Sequence, residues 1–185
     1  MNGPGGVNFQ KSFKGQYSVS VDTLPPSDVI SIVHRLVESR RPKNDSQREA
    51  LFTQLGFISR ISQDNPDEQS ALRINPLDVG LGSTVLGTWG TYEKDFLDVT
   101  LHLYTSTKPG SAETRQGFLQ IKNELSDLYG PATHPWEDEQ QPPCIWEWNG
   151  WAITMHLFNA RDSAVMLTVE NTDLAQRIDA EEASH

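Results

Sequence analysis

The chain has 185 residues and carries 25 Asp/Glu against 15 Lys/Arg, a net charge of −10; that length suits one domain, or two small halves sharing a core, able to fold without staples. The single cysteine, Cys144, excludes an intramolecular disulfide and any cysteine-cluster metal site, and no stretch approaches the roughly 18 apolar residues of a membrane helix. Residues 120–185 hold 12 Asp/Glu against 3 Lys/Arg, whereas residues 1–119 hold 13 against 12, a distribution that argues against nucleic acid, whose phosphates need Lys and Arg, and suits a basic protein partner.

Residues 1–16 lack the apolar core of a signal peptide and read as a flexible leader. With one thiol and no membrane span, the expected setting is the reducing cytoplasm. A single globular domain is expected over 17–175, followed by a frayed acidic tail over 176–185. PPSDVISIVHRLVESRR, residues 25–41, predicts a helix: Val29, Ile32, Val33, Leu36 and Val37 form one stripe. Ser27 is its candidate cap, and Pro42 stops it. A second helix is predicted over 45–55. Ser46 and Glu49 have capping-box spacing, Leu51, Phe52 and Leu55 face inward, and Gly56 supplies a left-handed stop. FISRIS at 57–62 alternates as a strand does, and NPDE at 65–68 reads as a turn. Three strands are expected between 71 and 105, in ALRIN, STVLGTWGTY and DVTLHLYT.

A third helix is predicted over 112–129, with Phe118, Ile121, Leu125 and Leu128 as its stripe and Gly130-Pro131 as its end. The acidic, proline-rich THPWEDEQQPP follows. CIWEWNGWAITMHLF then carries the strongest hairpin signal, because Asn149-Gly150 suits a two-residue type I′ turn. Such a turn sets Trp148 opposite Trp151 and Trp146 opposite Ile153. Alternation gathers Trp146, Trp148, Trp151, Ile153, Met155 and Leu157 on one face, expected to be core. VMLTVE at 165–170 is a further strand. The fold class is therefore α+β, about three helices packed on antiparallel sheet.

Two pentapeptides nearly repeat, TLHLY at 100–104 and TMHLF at 154–158. They offer two readings: a duplicated helix-plus-sheet unit, with halves 24–106 and 111–171, or a chance match between strands of like patterning. His102 and His156 fall on the more polar face of their strands. A half-exposed strand position is the plain reading, and a metal or acid–base pair is the alternative. No third ligand stands at metal-site spacing, and no G-x-S-x-G, P-loop or G-x-G-x-x-G occurs. No cofactor or metal is expected. Cys144 has no sequence neighbour that would activate it and reads as packing. Trp136, Glu137, Asp138 and Glu139 set an aromatic ring among carboxylates, which suits contact with a basic partner. Arg161 and Asp162 are expected to pair across a turn, or to add a second contact.

LYGPATHPWEDEQQPPCIWEWNGWAITMHLFNARDSAVMLTVE resembles an uncharacterised family of small actinobacterial proteins, through the Leu-Tyr-Gly-Pro helix end, the acidic Trp segment, the Trp hairpin and the MHLFN-x-RDS-x-VML run. The likeness covers about residues 120–170 and brings no catalytic residue with it. More loosely, small size, acidity and α+β build are similar to immunity proteins of polymorphic toxin systems. The expected function is accordingly a non-enzymatic protein-binding domain, an immunity-type inhibitor of a basic toxin domain. The alternatives are a hydrolase-like or metal-dependent enzyme using His102 and His156, and a secretion-accessory chaperone.

Overall fold

A computed structural model describes residues 24–60, 71–134 and 141–184. The leader 1–16 and the NPDE turn lie outside the described residues. In chain order the elements are α1 (Pro26–Val37), α2 (Asp45–Leu55), β1 (Ile58–Ser59), β2 (Leu72–Asp78), β3 (Leu86–Tyr92), β4 (Asp95–Ser106), α3 (Ala112–Tyr129), β5 (Cys144–Trp148), β6 (Trp151–Phe158), β7 (Ser163–Asn171) and α4 (Thr172–Glu182). The strands form one antiparallel sheet in the order β1-β2-β3-β4-β7-β6-β5. The fold is α+β as expected, with a fourth helix beyond the three foreseen.

The helix α2 begins and ends where its sequence pattern does, although the cap differs from the expected one. Asn44 accepts from the Gln47 backbone N–H at 3.0 Å, and Gln47 Oε1 accepts from Lys43 N–H at 2.9 Å. This reciprocal pair displaces the Ser46/Glu49 box by two residues. In α1 the cap position is Pro25, one step before Pro26 at N1 and two before the expected Ser27, with no side-chain cap hydrogen bond. In α3, Thr114, Gly117, Ile121 and Leu125 are buried, while Leu128 is exposed.

Helices α1, α2 and α3 cover one face of the sheet, with α3 against β4, β5, β6 and β7. The core between them takes the inward positions of β3, β4, β6 and β7: Trp89, Val99, Leu101, Leu103, Ile153, Met155, Val165, Leu167 and Val169. Phe52 is its aromatic hub, edge-on to Trp89 and Phe96 at 5.8 and 5.9 Å between ring centroids.

The hairpin register is the one the turn dictates. Asn149 and Gly150 adopt φ of 51° and 79°, and Trp148 pairs with Trp151, Trp146 with Ile153. Trp146 and Trp151 are 2% and 1% exposed, but Trp148 is 41% exposed. The expectation of three buried indoles is corrected to two. Trp148 shares their face but stands at the turn end of the outermost strand, beyond the reach of the core. It packs on Tyr129 with centroids 5.4 Å apart and donates its indole N–H to Glu38 at 2.8 Å.

The chain end also departs from expectation. Residues 172–182 form α4, where a tail from 176 was foreseen. Leu174 is buried. Arg41 ties the helix start by donating to Asn171 Oδ1 at 2.9 Å and Asp173 Oδ2 at 2.6 Å. Arg177 lies 3.3 Å from Asp95 and 3.8 Å from Glu93.

Topologically, β2-β3-β4 and β5-β6-β7 are two three-stranded meanders, each preceded by helix and joined through β4 and β7. The pentapeptides do not occupy matching places in them. TLHLY lies in β4, the last strand of its meander, and TMHLF in β6, the middle strand of the other. Their likeness follows a shared need: Leu101, Leu103 and Met155 point into the core, while the Thr and His positions point out.

Candidate functional site: the outward face of the sheet

Strand alternation leaves a second face, turned away from α1, α2 and α3. Its composition is unusual for a wet sheet. Along β3 to β7 the outward positions are filled by Leu, Thr, Gly, Asp, His, Ala, Met, Glu, Ile and Phe, with no Lys or Arg among them. Antiparallel sheets with one solvated face ordinarily alternate core residues with mixed charges.

The register orders these side chains into rows across the strands. Thr88, Thr100, Thr168 and Thr154 stand abreast from β3 to β6, and the hydroxyls of Thr100 and Thr168 are hydrogen-bonded at 3.0 Å. The next row runs Leu86, His102, Met166, His156. On the other side of the threonines lie Gly90, Asp98, Glu170, Ala152 and Glu147.

This last row holds the main electrostatic tension of the face. Asp98 and Glu170 are direct cross-strand partners, a pairing of like charges that ordinarily destabilises. Burial pushes the Asp98 carboxyl up to about 6, against a smaller lowering by a hydrogen bond from the Gly90 backbone. Glu170 is raised as well, by burial first and then by the charges of Asp98 and of Asp179 on α4. Gly90 makes room for this arrangement: a Cβ there would stand 2.8 Å from Asp98 Oδ1. The face thus keeps two carboxyls half-buried and short of positive charge.

His102 and His156 are brought into one row but not together. Each is paired with Met166 from opposite sides, so two strand spacings, roughly 10 Å, separate them. Met166 stands between them in the row. His156 stacks on Phe158 with centroids 6.0 Å apart. Instead His102 shares a cleft of about 590 Å³ with Glu113 and Asp162 at the end of β4. Among the described residues, no three His, Cys, Asp or Glu are grouped so as to hold a metal.

Arg161 and Asp162 are both exposed in the β6–β7 connection, at the sheet end where β5 begins. Among the described residues no ion pair joins them. The turn is held instead by Ser163, whose buried hydroxyl lies 2.9 Å from the Lys108 carbonyl and 3.0 Å from Asn159 Oδ1, and by the Gly110 N–H donating to Asn159 Oδ1 at 2.6 Å. Trp136, Glu137, Asp138 and Glu139 lie outside the described residues. The thiol of Cys144 is buried and pushed up by that burial; Lys122, a neighbour only the fold reveals, opposes the shift without reversing it.

The sequence reading located the histidines of this face but not its carboxylate row. Asp98 and Glu170 are 72 positions apart in the chain, and only the β4–β7 pairing unites them. The available signal was the absence of Lys and Arg from outward positions in DVTLHLYT and VMLTVE. No helix among the described residues is long and apolar enough to cross a membrane. No family model, curated protein or solved structure matches the chain.

Proposed function

We propose that the chain is a cytoplasmic, non-enzymatic protein-binding domain, an immunity-type inhibitor that neutralises a basic toxin domain by covering the outward face of its sheet. The observation that carries this reading is the row Asp98, Glu170, Glu147 on a face whose outward strand positions bear no Lys or Arg. A partner presenting Lys or Arg would relieve the Asp98–Glu170 repulsion and add charge-assisted hydrogen bonds to two half-buried carboxyls. The acidic bias of residues 120–185 would speed its approach. Threonine hydroxyls beside apolar Met166, Leu86 and Ile145 give the mixed surface typical of protein interfaces.

The test is capture from the native cell with the full chain as bait. A basic protein should be retained, should be released as salt rises, and should not be retained by the Glu147→Lys variant. A partner bound equally by Glu147→Lys, or indifferent to salt, would sink the proposal.

One observation favours a second reading, an enzyme. The cleft at His102 also presents Glu113 and Asp162, a histidine with two carboxylates of the kind used in acid–base chemistry. Because His156 lies outside that cleft, this enzyme would work through His102, and a hydrolytic activity lost in His102→Ala but kept in His156→Ala would establish it.

A further inference from the structure

We infer that the cleft between α1 and α2 binds a small phosphate-bearing ligand with a flat organic part, of the nucleotide class. The site is remote from the outward sheet face and independent of the function proposed for it. The charge there is opposite to that of the molecule. The cleft's lining holds three arginines and one carboxylate, in a chain at −10.

The cations converge. Arg35 from the last turn of α1, with Arg40 and Arg41 just beyond it, lines a cleft of about 590 Å³ whose apolar floor includes Leu51 and Leu55 of α2. That volume falls in the roughly 300–1,000 Å³ range of small-molecule sites. Two of the three arginines are held in place. Arg35 crosses from α1 to donate to the Gln54 carbonyl at 2.7 Å, and Arg41 is fixed through one nitrogen, Nη1, to Asn171 and Asp173. A guanidinium has five N–H donors, so both retain donors for a ligand. Arg40 is exposed and makes no ion pair among the described residues.

The single carboxylate of the lining, Glu38, already accepts the Trp148 indole N–H at 2.8 Å. With Arg41 paired to Asp173, Arg35 and Arg40 still outweigh Glu38, so the cleft is cationic although it adjoins the C-terminal end of α1, where the helix dipole disfavours anions. Arginine forks match phosphate oxygens two at a time, and their planes stack on flat rings. A bare phosphate would leave most of the volume and the Leu51/Leu55 floor unused, whereas a purine-sized ring would cover that floor. These two requirements together select the class.

The test uses the full chain at low ionic strength, with calorimetry and thermal unfolding in AMP, adenosine, pyrophosphate and a Glu-rich peptide. AMP should bind, adenosine should bind at least about tenfold more weakly, and AMP should raise the unfolding midpoint. Arg40→Ala should weaken AMP about tenfold while leaving the unfolding midpoint of the free protein unchanged, because Arg40 has no ion pair to lose. Arg35→Ala should weaken it too, with the Gln54 tether lost as well. The inference is overturned by no response to AMP at millimolar concentration, by equal binding of AMP and adenosine, or by AMP affinity indifferent to Arg40→Ala. Preference for pyrophosphate alone, or for the acidic peptide, overturns the nucleotide class. Failure here leaves capture of a basic partner by the sheet face untouched, and the reverse also holds.

Discussion

The two faces of the sheet are built from the same strands and obey opposite rules. On the helix-covered face, β4, β6 and β7 present Val99, Leu101, Leu103, Ile153, Met155, Val165, Leu167 and Val169, and each is buried. One residue further along each strand lie Asp98, Thr100, His102, Ala152, Thr154, Met166, Thr168 and Glu170, each half-buried. The first set is fixed by apolar burial, at roughly 25 cal/mol per Å². The second contains a like-charge pair that folding alone would not favour. A fold that tolerates such a pair on one side only is consistent with stability residing in the covered face and recognition in the other.

The sharpest contrast is within the tryptophans. Trp151→Ala removes a side chain 1% exposed from the core and should destabilise by about 3–5 kcal/mol. Trp148→Ala removes its register partner, which is 41% exposed, together with its hydrogen bond to Glu38. It should cost about 1–2 kcal/mol. Chemical denaturation of both variants measures the gap, and equal losses would mean that the helical layer extends over the end of the hairpin.

The tryptophan result shows what sequence could and could not convey. The Asn149-Gly150 turn and the alternation around it give pairing and face without reference to the rest of the chain. They do not say where the covering layer stops, which depends on how far α1 and α3 reach across the sheet. Helix α2 was legible to the residue because Gly56 and the Leu51, Phe52, Leu55 spacing are local signals. The cap was not, because Asn44 competes with Ser46 through a geometry that only the folded entry to the helix decides. Helix α4 was hidden by its acidity: its apolar pattern is thin, and what fastens it, Arg41 to Asp173 and Arg177 to Asp95, bridges distant segments. The two pentapeptides suggested equivalence, whereas strand burial alone accounts for them.

An intermediate effect is expected from Asp98, and it reads the outward face directly. Its folded pKa of about 6 stands above the ordinary 3.8. The folded state therefore holds the proton more tightly than the unfolded chain does. The associated stability is fully present below about pH 3.8 and is lost as pH rises through about 6. Asp98→Asn should remove that dependence, and at pH 7 it should be more stable than wild type by on the order of 2 kcal/mol. The same variant should bind the proposed basic partner more weakly. Wild-type capture should in turn strengthen from pH 5.5 to 7.5, since a cation favours the ionised carboxyl. Parallel unfolding curves for wild type and Asp98→Asn across that range would show that the carboxyl is not strained.

The smallest change in stability should accompany the largest change in recognition. Thr154 points outward at the β6 end of the threonine row, with no part in the core. Thr154→Lys should alter unfolding by no more than about 0.5 kcal/mol, as substitutions outside the packed interior ordinarily do. It would nevertheless set a positive charge and a long side chain beside Thr168 on the face proposed to receive a basic partner, where like charges facing each other oppose association. Retained folding with lost capture would assign the outward face to recognition. Retained folding with retained capture would move the partner elsewhere on the molecule, because a protein seated over Thr100 and Thr168 has no way to avoid the lysine between them and β5.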